Sequence, residues 1–446
     1  MKASQKKAIQ QGQAKSPSDP APSTLAARRE RVAKALELTD EILLVGAGEP
    51  LPLPEGTDQT YGFRAHSEYV YLADLDSPGG VVAFDPKRGP VKGWTSFVPD
   101  VTEAEQVWEA RAQDPGETLS RLEPWLTTRR GRTTVNLGAP LRGVRTDDAR
   151  TAAVREKFTH ARRPKDPTEL TLLRRAATAT AAGFEALRAH LQPGVTERAL
   201  QIELEAAFYR HGADRTGYGT IVGTGSNSAV LHFSPSNRAV KKGEFVLVDA
   251  GAEINRYVID VTRTYVVGGK PTGFQRDLFQ IVLAAEQAAV ARCVPGAEWK
   301  DIHLQAALEM TAGLVDMKIM RGDPASLVEQ GAHTLFFPHG LGHLVGLGVR
   351  DASGRFPGRE AFTDPALKNL RMNLPLAPGY VVTVEPGVYF IPSLLNDPAR
   401  RKHYRDAVNW PLAEKGIPVG GVRIEDNILV TESAPENLTR AIPKEW

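Results

Sequence analysis

Four apolar segments of this chain are each interrupted by a carboxylate. The run FVLVDA carries Asp249, and the next apolar segment along the chain carries Asp260. Glu385 interrupts the run VVTVEPGVYF, and Glu425 interrupts GVRIEDNILV. Buried carboxylates are rare in folded proteins unless they are paired or bind a metal ion. The pattern therefore favours a fold in which β-strands bring these acids together around something that offsets their charge.

The first two acids lie on a predicted hairpin. They are 11 residues apart, and their midpoint falls in the turn-like stretch EINR. An antiparallel hairpin centred there would place Asp249 and Asp260 nearly opposite each other, where like charges are destabilising. A shared proton, a basic side chain or a metal ion would offset the repulsion. The simpler alternative is one solvent-facing aspartate beside one capping aspartate.

A glycine-rich segment supplies imidazole groups. The stretch FFPHGLGHLVGLGVR carries His339 and His343, and its glycines leave room for the backbone to approach a ligand. Either histidine alone would more often be an ordinary core residue, but beside four acids we predict that His343 is a metal ligand. Four carboxylates and one imidazole suit Mn²⁺, Co²⁺, Fe²⁺ or Zn²⁺ in a two-metal site better than Mg²⁺.

Length and composition exclude several other classes of protein. The 446 residues are enough for two or three domains. The 55 Lys and Arg nearly balance the 53 Asp and Glu, which argues against a protein that coats nucleic acid or an acidic membrane. The single cysteine, Cys293, excludes a disulfide framework, and we expect it to be packed and inert.

No targeting or membrane segment is evident in the sequence. The N-terminus is polar without a signal-peptide pattern, and no segment approaches the ~20 consecutive apolar residues of a transmembrane helix. A single thiol is compatible with a reducing compartment. We therefore expect a cytoplasmic protein.

The chain is expected to contain a tail and two domains. Residues 1–24 have the composition of a disordered polar tail. We predict an N-terminal domain over residues 25–163 and a catalytic domain over residues 164–446. The boundary follows from the charged, proline-containing stretch Arg162–Pro167.

The order of predicted elements indicates a mixed α/β (α+β) fold. In the N-terminal domain we predict strands at residues 41–45, 69–72, 80–84 and 93–98, alternating with helical segments. Asp166 followed by Pro167 and then Glu169 has the pattern of a capped helix start. Two helices, the acid-bearing strands, two further helices and a strand-rich final third follow.

Together these segments resemble the proline-specific metallopeptidases with the pita-bread fold. The strings VLVDAGAE, DVTRTY, HGLGH, TVEPGVY and GVRIED occur in that family's order. Upstream, FRAHSEYVYL and EQVWEAR are similar to segments of the creatinase-like N-terminal domain of Xaa-Pro aminopeptidases, also called aminopeptidase P. The resemblance implies a creatinase-like α/β domain followed by a pita-bread catalytic domain.

The resemblance also implies a ligand set for two divalent ions, with Mn²⁺ favoured and Co²⁺, Zn²⁺ and Fe²⁺ as alternatives. Asp260 and Glu425 would bridge both ions, Asp249 would bind one, and His343 and Glu385 would bind the other. A hydroxide that bridges the ions would attack the peptide bond. Glu385 would carry the proton to the leaving imino nitrogen.

Four further residues match substrate-site positions or their supports. His232 matches a histidine near the substrate amine and the scissile peptide, and His339 matches one that stabilises the tetrahedral intermediate. Arg423 matches an arginine at the proline side of the cleft, although pairing with a strand carboxylate is the alternative. Tyr389 would support a metal ligand, or simply pack in the core.

The chain departs from the family pattern at Arg350. Members usually have a second active-site histidine seven residues after the ligand histidine, where this chain has the arginine of GVRD. Arginine cannot act as a base, but its guanidinium can bind a carboxylate through two hydrogen bonds. We therefore hypothesise that Arg350 binds substrate and alters substrate preference or rate, since no metal ligand is lost.

The resemblance implies an exopeptidase that releases the N-terminal residue when proline follows it. Ordinary peptidases handle this bond poorly because proline nitrogen carries no N–H. A prolidase restricted to Xaa-Pro dipeptides is the alternative, and an inactive peptide-binding pseudoenzyme would not need the complete ligand set. We expect proline-containing peptides as partners, neither nucleic acid nor membrane, and a homo-oligomer with two or four subunits.

Overall fold

The structure is a computed structural model that describes residues 22–54, 56, 59–364 and 367–445. It contains two compact units that divide after Arg162. Residues 1–21 of the predicted tail lie outside the described residues. The prediction of disorder is wrong for residues 22–24, because the first helix begins at Pro22. Proline is tolerated there since the first helical N–H has no partner within a helix.

The first unit is built on a five-stranded sheet. Its strands are β1 (Ile42–Gly46), β2 (Val81–Phe84), β3 (Trp94–Val98), β4 (Glu117–Thr118) and β5 (Thr134–Gly138). Its helices are α1 (Pro22–Leu36), α2 (Ser67–Ala73), α3 (Glu103–Glu109), α4 (Leu122–Thr127) and α5 (Asp148–Ala161). The strand order is β4-β3-β2-β1-β5, with β1 antiparallel to β2 and parallel to β5. The predicted α/β character of this unit is confirmed.

The strand predicted at residues 69–72 is wrong. These residues lie inside α2, where every residue from Tyr69 to Ala73 is buried. A short apolar run that is buried on all sides has no periodicity to separate a strand from a helix. The helix ends at Asp74, whose φ of 59° is left-handed.

The second unit combines long helices with several small sheets. Its helices are α6 (Pro167–His190), α7 (Glu197–Arg210), α8 (Gly273–Ala291), α9 (Trp299–Asp316), α10 (Pro324–Glu329), α11 (Pro392–Leu395), α12 (Pro398–His403) and α13 (Trp410–Gly416). Its strands are β6 (Arg215–Thr216), β7 (Ile221–Thr224), β8 (Phe245–Ala250), β9 (Ala252–Ile254), β10 (Tyr257–Val258), β11 (Val261–Val266), β12 (Gly354–Arg355), β13 (Met372–Asn373), β14 (Val381–Val384), β15 (Gly387–Tyr389), β16 (Gly421–Arg423), β17 (Asp426–Leu429) and β18 (Glu436–Asn437). The sheets that position the site are β11-β8-β7, β14-β17-β18 and β15-β16.

The predicted capped start of α6 is confirmed. The Asp166 carboxylate accepts the N–H groups of Thr168 and Glu169, both at 3.0 Å. The Glu169 carboxylate accepts the Asp166 N–H at 2.9 Å in return. A cap of this kind stabilises a helix by about 1 kcal/mol. Glu169 also accepts the hydroxyl of Tyr257 at 3.1 Å, which ties the helix to the acidic hairpin.

The acidic hairpin forms around the predicted turn, but its register differs from the prediction. Asn255 and Arg256 have φ values of 47° and 72°, as a tight two-residue turn requires. Thr262, rather than Asp260, lies directly opposite Asp249. The hairpin is symmetrical about the Asn255–Arg256 bond, one residue later than the predicted midpoint, and this moves each partner by two residues. Because the displacement is two residues, the predicted face is preserved.

A large apolar core of the second unit joins α8 and α9 to strands β14–β17. Trp299 and Cys293 are fully buried within it. Burial raises the pKa of the Cys293 thiol to about 12, which agrees with the prediction of a packed, inert cysteine. Among the described residues, we find no helix that combines the length and apolarity needed to cross a bilayer.

Candidate active site

Three of the predicted acids meet in the middle of the hairpin, where the β8–β11 pairing ends. Asp249 lies on β8, Asp260 immediately precedes β11, and Glu425 occupies the break between β16 and β17. One carboxylate oxygen from each lies within 4.8 Å of the others, and all three residues are buried. The Glu425 N–H donates to the carbonyl of Thr262 at 3.0 Å, which fixes this break against β11.

Asp249 is held by two donors. Its Oδ1 accepts the hydroxyl of Tyr218 at 2.6 Å, and its Oδ2 accepts Nη2 of Arg423 at 2.6 Å. Burial and the nearby carboxylate of Asp260 raise the pKa of Asp249 to about 6, despite the opposing charge of Arg423. The site therefore disfavours several bare negative charges, and a cation would relieve this cost.

Glu425 has one satisfied oxygen and one unsatisfied oxygen. Its Oε2 accepts the hydroxyl of Thr262 at 2.7 Å. Its Oε1 is buried and has no hydrogen-bond partner within the described parts of the chain. Burial and the carboxylates of Asp260 and Glu385 raise the pKa of Glu425 well above its usual value. A buried oxygen without a donor is costly, and it is suited to binding a metal ion.

His343 directs a ring nitrogen toward two of the acids. Its Nδ1 lies 3.0 Å from the carbonyl of Leu344, which assigns the proton to Nδ1. Its Nε2 then faces Asp260 at 3.5 Å and Glu385 at 3.8 Å. Burial alone would lower the pKa of His343, but hydrogen bonding to Asp260 and the charge of Glu385 raise it. A lone pair facing carboxylates requires a proton or a cation between them.

The pKa of Asp260 is lowered, whereas those of the other three acids are raised. Burial acts to raise that pKa, but the imidazole of His343, the hydroxyl of Tyr218 and the charge of Arg423 together hold it below the usual value. The Asp260 N–H donates to the side-chain oxygen of Asn427 at 3.1 Å. Asn427 therefore fixes the backbone of Asp260 against β17.

Glu385 lies in the break between β14 and β15. Its N–H donates to the carbonyl of Leu341 at 2.8 Å, and Pro386 follows it, which disfavours helical backbone here. Burial and the charge of Asp260 raise the pKa of Glu385 to about 7, against the effect of His343. Its carboxyl can therefore gain or lose a proton near neutral pH.

These donors fit divalent cations. Carboxylate oxygens and one imidazole nitrogen converge, one carboxylate oxygen lacks a donor, and three carboxyl pKa values are raised in the absence of a neutralising ion. The donor set suits ions such as Mn²⁺, Co²⁺ or Zn²⁺.

The cluster opens into a cavity of about 620 Å³. All of the predicted substrate residues line it: His232, His339, Arg350 and Arg423. His232 is exposed on its wall, and its pKa is lowered by burial within the cavity and by the nearby arginines. The individual substrate contacts of these residues stay predictions.

Arg423 connects the acids to His339 through Tyr389. Its Nη1 donates to the Tyr389 hydroxyl at 3.0 Å, and that hydroxyl lies 2.9 Å from Nε2 of His339. Nδ1 of His339 lies 2.9 Å from the carbonyl of Gly340. Burial lowers the pKa of His339 to about 3, so its ring is neutral at physiological pH. Arg423 thus pairs with the strand carboxylate of Asp249, and Tyr389 is both packed and hydrogen bonded.

A model of metallopeptidase family M24 matches residues 171–432 of the chain. The chain belongs to metallopeptidase family M24. A model of the aminopeptidase P N-terminal domain matches residues 25–123. The pita-bread catalytic fold and the N-terminal domain expected from the sequence are confirmed.

Full-length relatives agree with these matches. The chain is 30% identical to a probable Xaa-Pro aminopeptidase of Sclerotinia sclerotiorum, over 87% of this chain and 73% of the relative. It is 29% identical to a probable Xaa-Pro aminopeptidase of Tuber melanosporum, over 90% of both proteins. The solved structure of Escherichia coli aminopeptidase P with the inhibitor Pro-Leu matches with a TM-score of 0.76 and 26% identity, covering 96% of this chain and 97% of that one.

Thr262 is a residue of this M24 site that sequence reasoning missed. Its hydroxyl donates to Glu425 and accepts Nε of Arg423 at 2.9 Å, so one buried hydroxyl orients an acid and an arginine. Tyr218, the partner of Asp249, was also missed. Both are common residue types whose role depends on pairing between distant strands.

Arg263 was missed as well, although the sequence contained a signal for it. An arginine inside an apolar strand needs a buried partner, and the fully buried Arg263 has several. It donates to the carbonyl of Glu425 at 2.6 Å, to the carboxylate of Asp426 at 2.7 Å and to the carbonyl of Ile442 at 2.9 Å. Lys444 pairs with the same Asp426 at 2.7 Å. This network fixes the backbone that carries Glu425.

Proposed function

We propose that this M24 protein is a metal-dependent Xaa-Pro aminopeptidase. The observation that carries the proposal is the buried cluster of Asp249, Asp260 and Glu425, with its unpartnered Glu425 Oε1. The match of residues 25–123 to the aminopeptidase P N-terminal domain supports the proline specificity. The substrates would be peptides with proline as the second residue.

Five side chains would hold two divalent ions, and we propose Mn²⁺ as the working ion. They are Asp249, Asp260, His343, Glu385 and Glu425. When bound, two such ions would lower the pKa of a water molecule and polarise the scissile carbonyl. Nε2 of His343, which faces Asp260 and Glu385, and the unpartnered oxygen of Glu425 support this assignment.

Glu385 is the proposed proton carrier. As water oxygen bonds to the carbonyl carbon, the Glu385 carboxylate takes a water proton. The carboxylic acid then gives that proton to the proline nitrogen as the carbon–nitrogen bond breaks. A carboxyl group that lines the cavity can make both transfers without leaving the site.

The remaining cavity residues would orient the peptide. We propose that His232 lies near the substrate amine and scissile peptide and that His339 stabilises the tetrahedral intermediate. Because both ring nitrogens of His339 have protein partners, that role requires exchange of a hydrogen bond with Tyr389 or Gly340. Arg423 would shape the proline side of the cleft from its fixed position beside Asp249.

The alternatives are less well supported. A prolidase is not favoured, because the N-terminal domain match and the named relatives are those of Xaa-Pro aminopeptidases. A pseudoenzyme would not need five intact ligand positions. We further propose functional domains at residues 25–163 and 164–446, divided at the charged stretch Arg162–Pro167, and a cytoplasmic location. The family resemblance supports a dimer or tetramer.

Hydrolysis of peptides by metal-stripped protein tests the proposal. Ala-Pro and Ala-Pro-Ala would be offered after Mn²⁺, Co²⁺ or Zn²⁺ is added back. Release of alanine from the tripeptide supports an Xaa-Pro aminopeptidase, and the best ion identifies the metal. Cleavage of the dipeptide alone would indicate a prolidase. Absence of cleavage with every ion would refute the proposal that the protein is a peptidase. Light scattering and cell fractionation test the assembly and location.

A further inference from the structure

Two arginines line the cavity without a carboxylate partner. Arg350 and Arg371 both border the cavity of about 620 Å³ that contains the acid cluster. Both side chains are exposed, and neither forms an ion pair with the residues that the structure describes. The third cavity arginine, Arg423, is instead bound to Asp249 and Tyr389. The cavity therefore contains two guanidinium groups with free donors.

The backbone that presents these arginines is fixed. Asp351, next to Arg350, forms an ion pair with Lys165 at 2.8 Å, and both side chains are almost completely buried. The segment after Asp351 forms β12, which pairs in parallel with β13. The N–H of Gly354 in β12 donates to the carbonyl of Arg371 at 3.3 Å. Arg350 and Arg371 thus belong to one local arrangement and face the same cavity.

The charge of this pair restricts which part of a peptide it can bind. Arg350 and Arg371 are among the cations that, after burial and Arg423, lower the pKa of His232. The positive N-terminal amine of a substrate would be repelled by unpaired guanidinium groups. A carboxylate would be attracted, and each planar guanidinium can bind it through two hydrogen bonds. The pair therefore suits the chain beyond the scissile bond.

We propose that Arg350 and Arg371 form a carboxylate-binding subsite for the residue that follows proline. The carboxylate is either the acidic side chain of that third residue or the C-terminus of a tripeptide. This inference rests on the proposed function, because the proposed cleavage site sets the orientation of the peptide. It gives Arg350, which replaces the usual histidine, a role in substrate binding, and it adds Arg371 to the site.

Peptide amides separate the two sources of carboxylate. Comparing Ala-Pro-Glu amide with Ala-Pro-Gln amide tests whether the side-chain carboxylate is bound. Comparing Ala-Pro-Ala acid with its amide tests whether the C-terminal carboxylate is bound. With Mn²⁺-loaded protein, we expect kcat/KM to be about five- to tenfold higher for the charged member of at least one pair, as for exposed charge-assisted contacts. The preference should shrink as salt increases, because the pair is exposed.

Charge-removing variants locate the subsite. Arg350→Gln and Arg371→Gln should each reduce the charged-to-neutral ratio of kcat/KM, and the double variant should bring it to about one. Arg276→Gln removes an exposed charge on α8, outside the cavity, and should leave the ratio unchanged. These side chains are exposed, so folding should be retained in every variant.

Calorimetry of the same peptides with Mn²⁺-loaded protein measures binding independently of cleavage. It therefore distinguishes failure of the subsite from failure of the proposed aminopeptidase function. If no peptide is cleaved, the proposed function fails, whereas tighter binding of the charged peptides that is lost in the double variant still supports the subsite. Equal binding and equal kcat/KM for both members of each pair would overturn the subsite. A preference that survives in the double variant, or one for an acidic first residue instead, would also overturn it.

Discussion

Replacing Thr262 with valine should weaken both metal binding and stability, while the same change at Thr311 should not. Both threonines are fully buried. The Thr262 hydroxyl donates to Glu425 and accepts a hydrogen bond from Arg423. The Thr311 hydroxyl has no partner among the residues described. Valine has nearly the same shape as threonine, so the two variants differ mainly in the hydrogen bonds that they lose.

The expected magnitudes follow from these contacts. Hydrogen bonds to charged groups contribute about 1.5–3 kcal/mol each, so Thr262→Val should lower the free energy of unfolding by about 3 kcal/mol. Loss of a residue that orients a metal ligand typically reduces metal affinity by about 10–100-fold. Thr311→Val removes an unsatisfied buried hydroxyl and should be neutral or stabilising by about 1 kcal/mol.

Denaturant unfolding of metal-free protein and titration of activity with Mn²⁺ measure the two effects. Thr262→Val should need more Mn²⁺ for half-maximal activity, and Thr262→Ser, which keeps the hydroxyl, should recover most of the affinity. If Thr262→Val matches Thr311→Val in both stability and Mn²⁺ requirement, the reasoning about this hydroxyl is wrong.

Three further predictions concern a proton carrier, a histidine pair and a buried ion pair. Glu385→Gln should lower kcat by about 10²–10⁴-fold even at saturating Mn²⁺, and retention of wild-type kcat would exclude it as proton carrier. Burial lowers the pKa of His303 to about 3 and that of His333 to about 4. Below about pH 6.5 both histidines are protonated in the unfolded chain but stay neutral in the folded protein. The free energy of unfolding should therefore fall, as the pH is lowered from 6.5 to 4, by about 1.4 kcal/mol per pH unit for each histidine. His303→Leu should reduce that slope in urea unfolding at several pH values; an unchanged slope contradicts the assignment. Lys165→Met should cost about 3–5 kcal/mol by leaving Asp351 charged and buried, measured by denaturant unfolding, and a smaller loss in Lys165→Met combined with Asp351→Asn would identify the pair as the cause.

Local chemistry allowed much of the fold to be predicted from sequence. The capping residues of α6 and the turn depend on neighbours along the chain. The cap appears where the sequence indicates, and the turn lies within the predicted stretch EINR. The register of the hairpin was predicted two residues away from the observed one, because the turn is centred at Asn255–Arg256, one residue later than the midpoint of the two aspartates. The buried run in α2 lacked the polar positions that reveal a helical period.

In the candidate active site too, features with a local sequence signal were predicted, and features that depend on distant contacts were not. Carboxylates within apolar strands were visible because burying charge demands a partner, and three of them meet in the structure. Thr262 and Tyr218 gave no such signal, since their contacts join segments that are far apart in sequence. Arg371 was missed for the same reason: only the pairing of β12 with β13 brings it beside the segment of Arg350.

The Arg263 network also has a consequence for protein synthesis. Arg263 depends on the carbonyl of Ile442, which is translated 179 residues later, and Asp426 also depends on Lys444. A ribosome-bound chain that has not reached these residues has the acids of β8 and β11 but not the contacts that hold Glu425. We therefore expect peptide cleavage only after residues up to Lys444 have been translated and have joined the fold.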